Sequence, residues 1–263
     1  MKGKLKGLSI TETNNLLKHG RYDISNVFVG YRGSISHGMY RPSNEPNSLD
    51  DKDLLTVFIA GKEHYFGFGK RDVYETTLRE WDVVSYELRK FIGLLLKCNP
   101  NVLSMLWLDE SYVKYVTSYW RELIANREIF VSKAAYQSFG GYARSQFKRM
   151  THLAYEGYMG EKRKKLVEKH GYDTKNASHL IRLLIMGMEF LSEGKLYVKR
   201  HDASYLLAIK DGEYSLEEIK READNRFKLL EEAYLKSKLP EKPDREKAET
   251  LCMDLIEAYH YHD

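Results

Sequence analysis

Two aspartates two positions apart, Asp51 and Asp53, open an apolar run that continues from Leu54 to Ile59. In an extended segment alternate side chains share a face, so both carboxylates point the same way, in line with Leu55, Val57 and Ile59. Like charges this close repel unless a cation sits between them. Hard oxygen ligands of this kind suit Mg²⁺, which keeps several waters and completes its shell with substrate phosphates. Upstream, Gly30, Gly33, Ser34 and Gly38 supply a turn whose backbone N–H groups can face an anion without hindrance from side chains. Together these features describe a metal and nucleotide site. The same residues also suit an ordinary loop and strand entry, so the pair alone does not decide between the two.

A second set of chemical groups lies far downstream. On a helix from Thr174 to Leu191, the residues Lys175, His179, Arg182, Met186 and Glu189 recur at helical spacing and fall on one narrow face. Ala177, Leu180, Ile181, Leu184, Met188 and Leu191 form an apolar stripe opposite, and Asp173 reads as the cap. A Lys, a His and an Arg within two turns can cradle a triphosphate or an RNA phosphate. A solvated helix face would carry the same residues. Arg144 and Lys148, four apart in YARSQFKR, could follow a nucleic-acid backbone or decorate a plain surface helix. Lys62, His64 and Lys70 fall in the polar, Gly-spaced connection GKEHYFGFGKRD, where they could touch substrate phosphate but read first as solvated loop residues.

The elements that must position these groups are legible in outline. Residues 11 to 19 form a short helix, Ile24 to Val29 a first strand, and Leu54 to Ala60 a second. Trp81 to Tyr86 alternates as a strand, with Asp82 on the face of Val84 and Tyr86. A helix from Glu87 to Lys97 follows, its stripe being Leu88, Phe91, Ile92 and Leu95; Glu87 favours its positive end, and CNPN breaks it before another apolar helix, Val102 to Leu108. From about Tyr112 the strand signals thin. Residues 119–150, 151–170, 174–192, 202–210 and 215–236 are helical by period, with breaks at Gly140-Gly141, Gly171 and Gly194. The charged run LPEKPDREKAET leads to a last helix, with His260 and His262 in a fraying tail. The expected fold class is α+β: a small mixed sheet carrying helices over residues 1–112, then a helical half over 113–263.

Composition narrows the setting. The chain has 263 residues with 43% apolar and 30% charged, so it can bury a substantial core. A formal net charge of +4 permits a nucleic-acid partner without demanding one. Cys98 and Cys252 lack metal-ligand spacing and read as reduced core thiols. No apolar stretch is long enough for a bilayer and the start MKGKLKGLSITETNN lacks a signal-peptide core, so a cytoplasmic protein without membrane contact is expected.

A strand ending in Gly-Ser, a spacer and then Asp-x-Asp resembles the signature of the DNA polymerase beta-like nucleotidyltransferase superfamily. Two longer blocks, DVVSYELRKFIGLLLKCNPNVLSMLW (Asp82 to Trp107) and YDTKNASHLIRLLIMGMEFLSEGKLYV (Tyr172 to Val198), resemble the RlaP-type, RNA-repair-associated nucleotidyltransferases. The likeness runs from about Asn26 to Leu239. It implies a Mg²⁺-dependent enzyme that moves a nucleoside monophosphate from an NTP to a hydroxyl, with an RNA or tRNA end the acceptor expected from the family and protein or small-molecule hydroxyls left open. Asp51 and Asp53 would hold two metal ions, and Asp82 would be the third carboxylate, with Glu87 as its competitor. Gly30, Arg32, Gly33, Ser34, Lys175, His179 and Arg182 would bind the nucleotide. Two departures stand out: Tyr31 follows the first glycine where the superfamily has Ser, and PSNEPN looks like an insertion. Either Gly33-Ser34 takes over the phosphate role or phosphate binding is weakened, and a binding module that has lost the transfer chemistry is the alternative reading.

Overall fold

The computed structural model describes residues 24–42, 50–67, 71–151 and 161–262. The helix expected at 11–19, the PSNEPN stretch beyond Pro42, Lys70, residues 152–160 and the side chain of His262 lie outside the described residues.

Strands β1 (Ile24–Tyr31), β2 (Lys52–Ala60), β3 (Val73–Leu78), β4 (Trp81–Glu87) and β5 (Val113–Val116) form a mixed sheet in the order β3-β4-β2-β1-β5. β2 and β4 run parallel; the other neighbours are antiparallel. The run LLTVFIA keeps the central strand β2 buried on both faces, as a strand covered from two sides requires. Leu55, Val57, Ile59 and Val84 enter the large core shared with the helices, while Val29, Tyr31, Leu54, Phe58, Trp81 and Val83 form a smaller cluster. Asp53 alternates with Leu55 and Val57, so it lies on the face that the helices cover. The sequence does not announce β3 and β5. Both are short edge strands carrying polar residues, the form in which sheet edges avoid further pairing. β5 pairs with β1, so the sheet takes its fifth strand from beyond residue 112.

Glu87 stands at the N-cap of the helix Leu88–Leu95, its carboxylate accepting the Lys90 N–H at 3.1 Å. Asn99 caps Pro100–Leu103, which tightens into a 3₁₀ turn over Ser104–Trp107 where a longer helix is expected from sequence.

The helix Thr174–Glu193 is the hub of the helical half, packing against Ala135–Thr151, Ala203–Lys210 and Leu216–Lys236. Asp173 caps it by accepting the Asn176 N–H at 2.9 Å, and Gly194 ends it in the left-handed region at φ 68°. The solvated-face alternative for its polar stripe fails at Arg182, which is 9% exposed, and at Met186, which is fully buried, while Lys175, His179 and Glu189 are half-buried. One expectation is corrected here. Gly140-Gly141 does not break the helix Ala135–Thr151. A Cβ on Gly140 would stand 3.4 Å from Leu230, and one on Gly187 only 2.9 Å from Leu230 and 3.0 Å from Phe139; these glycines let three helices approach closely.

The last helix begins at Arg245 and holds to its end, where the His260 ring packs edge-on against Tyr65 rather than fraying. His64 is likewise not a solvated loop residue: it sits in a short helix, Lys62–Phe66, and is 2% exposed. Cys98 and Cys252 are buried free thiols, and burial pushes both up, Cys252 to about 12, which suits packing rather than chemistry. Among the described residues no helix is long and apolar enough to cross a membrane.

Candidate active site

The parallel pairing of β2 with β4 sets Asp53 directly opposite Asp82. In parallel strands paired residues face the same way, so two carboxylates remote in sequence become neighbours at the strand entries. Burial is the first cause that raises the Asp53 pKa; the Arg32 guanidinium opposes it, and the Asp51 and Asp82 carboxylates add to it. Arg32 Nη2 lies 3.2 Å from Asp53 Oδ1. Asp51 is more open, its carboxylate 3.5 Å from the Lys175 ammonium. Asp82 is exposed, accepts a hydrogen bond from Thr77 Oγ1 at 3.0 Å, and lines a recess with Arg32 and Glu75.

The turn after β1 fits against these acids. The Arg32 N–H donates to the Asp53 carbonyl at 3.1 Å, and Gly33 adopts φ 63° to begin the turn Gly33–Ser36. A Cβ on Gly33 would stand 2.5 Å from Asp53 Oδ2, so only glycine lets this backbone pass the carboxylate. Gly33→Ala is therefore expected to destabilise the protein by about 1–3 kcal/mol in urea denaturation, with the loss smaller when Asp53 is also shortened to alanine. Gly30 does not join this turn: it lies within β1, where a Cβ would strike Phe28 and Leu108. Tyr31 does not block it, because its ring is 3% exposed and stacks on Trp81 with centroids 5.4 Å apart.

Across from the turn stands the start of the helix Thr174–Glu193. A cavity of about 170 Å³ is lined by Gly33, Ser34, Asp51 and Asp53 on one side and by Lys175, His179 and Arg182 on the other. The Arg182 guanidinium donates to the Met186 thioether sulfur at 3.3 Å, and among the described residues no carboxylate lies at ion-pair distance from it. Its neighbour Arg200 shows the contrast, held by Glu189 at 2.6 Å and 2.9 Å and by Asp202 at 2.8 Å and 3.0 Å. Burial lowers the Arg182 pKa to about 10, which leaves it charged at neutral pH. A buried cation without a counter-ion beside a cavity is a preorganised seat for an anion.

That unbalanced charge acts on two histidines. Burial first, and Arg182 second, hold the His37 and His179 imidazoles well below their ordinary value of 6.5. His37 Nδ1 bonds the Val198 carbonyl at 2.8 Å, and His179 Nε2 has no hydrogen-bond partner among the described residues. Below about pH 6.5 the unfolded chain takes up protons that the folded chain refuses. Stability therefore falls as pH drops through that value, each imidazole contributing a slope of at most about 1.4 kcal/mol per pH unit. Melting curves between pH 7 and pH 5 are expected to show this decline, and His179→Gln is expected to roughly halve it.

Several groups at this cavity carry no sequence signal. Asp50, adjacent to the chosen pair but out of its two-residue alternation, is buried against Lys210 at 2.5 Å. Arg163 spans Asp173 and Asn176 at 3.2 Å each, from a basic run with nothing to single it out. Glu87, the competitor for the third carboxylate, is removed from the site: it pairs in register with Phe58, five positions along from the Asp53–Asp82 pair, or about 16 Å at strand rise.

The donor set fits a hard divalent cation. Asp51 and Asp53 share the cavity and Asp53 feels the charges of both Asp51 and Asp82, but Asp82 lines a neighbouring recess, and among the described residues the three do not bring their oxygens within 4.8 Å of one another; Arg32 and Lys175 supply positive charge to Asp53 and Asp51. A mixed sheet that presents a Gly-Ser turn to paired strand-entry aspartates, with a basic helix across a small cavity, agrees with the nucleotidyltransferase resemblance of the sequence. Over residues 15–254 the chain matches the RlaP family, described as the RNA repair pathway DNA polymerase beta family, and it belongs to that family. It is 28% identical over 129 residues to the uncharacterized protein YcgL of Bacillus subtilis (strain 168), a match covering 48% of this chain and 47% of that protein, so the chain spans about half the length of this curated relative. A nucleotidyltransferase-like protein from Exiguobacterium sibiricum 255-15 overlaps 80% of this chain and 69% of its own at 11% identity and a TM-score of 0.27.

Proposed function

We propose that this protein transfers a nucleoside monophosphate from an NTP to an acceptor hydroxyl at an RNA or tRNA end, in a Mg²⁺-dependent reaction. The observation that carries the reading is the shared cavity, in which Asp51 and Asp53 face a buried arginine that has no carboxylate at ion-pair distance among the described residues. Asp51, Asp53 and Asp82 are the residues that would hold the metal. Two divalent ions bound there would neutralise the triphosphate and stabilise the attacking and leaving oxygens of an in-line displacement.

The remaining work belongs to the chain itself. Gly33 and Ser34 offer backbone N–H groups to the phosphates, and Lys175 and Arg182 hold their charge from the far wall. His179, neutral at working pH, contributes a hydrogen bond rather than a charge. Arg32 orients the Asp53 carboxylate, and Asp82 lines the adjoining recess with Arg32. The RNA acceptor rests on the family description, with which a cytoplasmic setting agrees. The binding-module alternative drew mainly on Tyr31, whose ring is packed against Trp81 and lies clear of the turn.

Incubation of the purified protein with each α-labelled NTP, total cellular RNA and Mg²⁺ tests the reading. Label in the RNA fraction, lost on chelation, is expected. Label confined to the protein fraction would move the acceptor from RNA to protein, and no incorporation from any NTP would defeat the enzymatic reading.

A further inference from the structure

At the opposite end of the β2/β4 pair, three segments bring different ligating groups together. His64 comes from the helix Lys62–Phe66, Asp72 from the approach to β3, and Glu87 from the end of β4; one ligand atom from each lies within 4.8 Å of the others. We propose that they form a second divalent-cation site, suited to zinc or a similar borderline transition metal, separate from the cavity that holds Asp51 and Asp53.

The unmet needs of these groups point to an ion. His64 is 2% exposed, its Nε2 stands 3.2 Å from Asp72 Oδ1, and neither atom has a hydrogen-bond partner among the described residues. Had the ring been aimed to donate, one bond would have satisfied both. Two ligands of one metal stand in this relation: with bonds of about 2.0–2.1 Å, the ligand edge is about 3.0–3.4 Å, and neither atom donates to the other. Glu87 is fully buried, and its Oε2 lies 3.7 Å from Arg89 Nε, longer than a direct charge-assisted bond. The carboxylate is also fixed in direction, accepting the Tyr65 hydroxyl at 2.8 Å on Oε1 and the Lys90 N–H at 3.1 Å on Oε2, as the outer partners of a metal ligand do. A second lone pair remains on each oxygen. One imidazole with two carboxylates favours zinc over magnesium, which prefers an all-oxygen shell. The half-exposed side of Asp72 opens the remaining coordination positions to water. A metal here would clip the 61–72 connection to the junction between β4 and the helix Leu88–Leu95.

Cobalt(II), which reports nitrogen and oxygen coordination by its visible d–d absorption, tests the site when titrated into the full chain at saturating Mg²⁺. One equivalent of Co²⁺ is expected to bind with a visible band, and Zn²⁺ is expected to displace it. Binding should weaken at least about 10-fold in Asp72→Asn and His64→Gln, yet persist in Asp53→Asn, which separates this site from the proposed reaction. Asp72 is half-exposed, so its variant should keep the native circular dichroism even if that of His64 does not. Wild-type crystals soaked in zinc should show an anomalous peak between His64 Nε2 and Asp72 Oδ1. Absence of both band and peak, a band unchanged in Asp72→Asn, or a peak elsewhere would overturn the proposal.

Discussion

Asparagine in place of Asp53 is expected to cut nucleotidyl transfer by about 10³-fold while making the metal-free protein more resistant to heat. The first effect follows from the proposed metal role, since a lost ligand forfeits several kcal/mol of charge stabilisation in the transition state. The second follows from the raised pKa of the carboxyl. The folded protein holds this proton more tightly than the unfolded chain, so stability falls as pH rises from 3.8 through the raised value, and the penalty persists at neutral pH. Asparagine keeps the shape and removes the buried charge, leaving Arg32, which is 30% exposed, to water. For a chain of this size each kcal/mol relieved shifts the melting temperature by about 2–4 °C. Saturating Mg²⁺ is expected to stabilise the wild type and not the variant. A variant with full activity, or one that gains as much from Mg²⁺ as the wild type, would remove Asp53 from the reaction.

Arg182→Met is expected to raise KM for the NTP about 10- to 150-fold, which corresponds to one charge-assisted hydrogen bond of about 1.5–3 kcal/mol. The change in kcat should be smaller. Methionine fills much of the same space without bringing an unpaired charge indoors, so the fold is expected to hold or to gain stability. The two histidines provide an internal check: without Arg182 their imidazoles protonate more readily, and the acid decline in stability becomes shallower. An unchanged KM together with an altered acid profile would mean that the guanidinium shapes the local field without touching substrate.

The features that the sequence made legible are those governed by local periodicity. The alternation through Asp53, Leu55 and Val57 and through Asp82 and Val84 put each acid on the correct face, because strand alternation needs no tertiary information. The helix Thr174–Glu193 was also readable to within two residues at its end, with its cap at Asp173 and its stop at Gly194. The burial of its polar stripe was not readable. A Lys-His-Arg face suits a phosphate cradle and a solvated helix equally, and which of them holds depends on how the sheet and helices dock. Gly140-Gly141 misled for a related reason: a glycine pair weakens an isolated helix, but here Leu230 fills the space its absent side chain leaves. His64 sits in a polar, glycine-spaced stretch that reads as loop, and only its packing under Glu87 and Tyr65 makes it buried.

Arg41 and Asp50 are fastened to one place. The Arg41 guanidinium pairs with Asp211, its backbone N–H donates to Asp50 at 2.9 Å, and Asp50 pairs with Lys210, the residue preceding Asp211. Whatever separates Arg41 from Asp50 therefore closes a ring whose ends are already joined, and the entropy of such a ring grows only logarithmically with its length. Adding or deleting residues between those two positions is expected to cost little stability and to leave Asp51 and Asp53 in place.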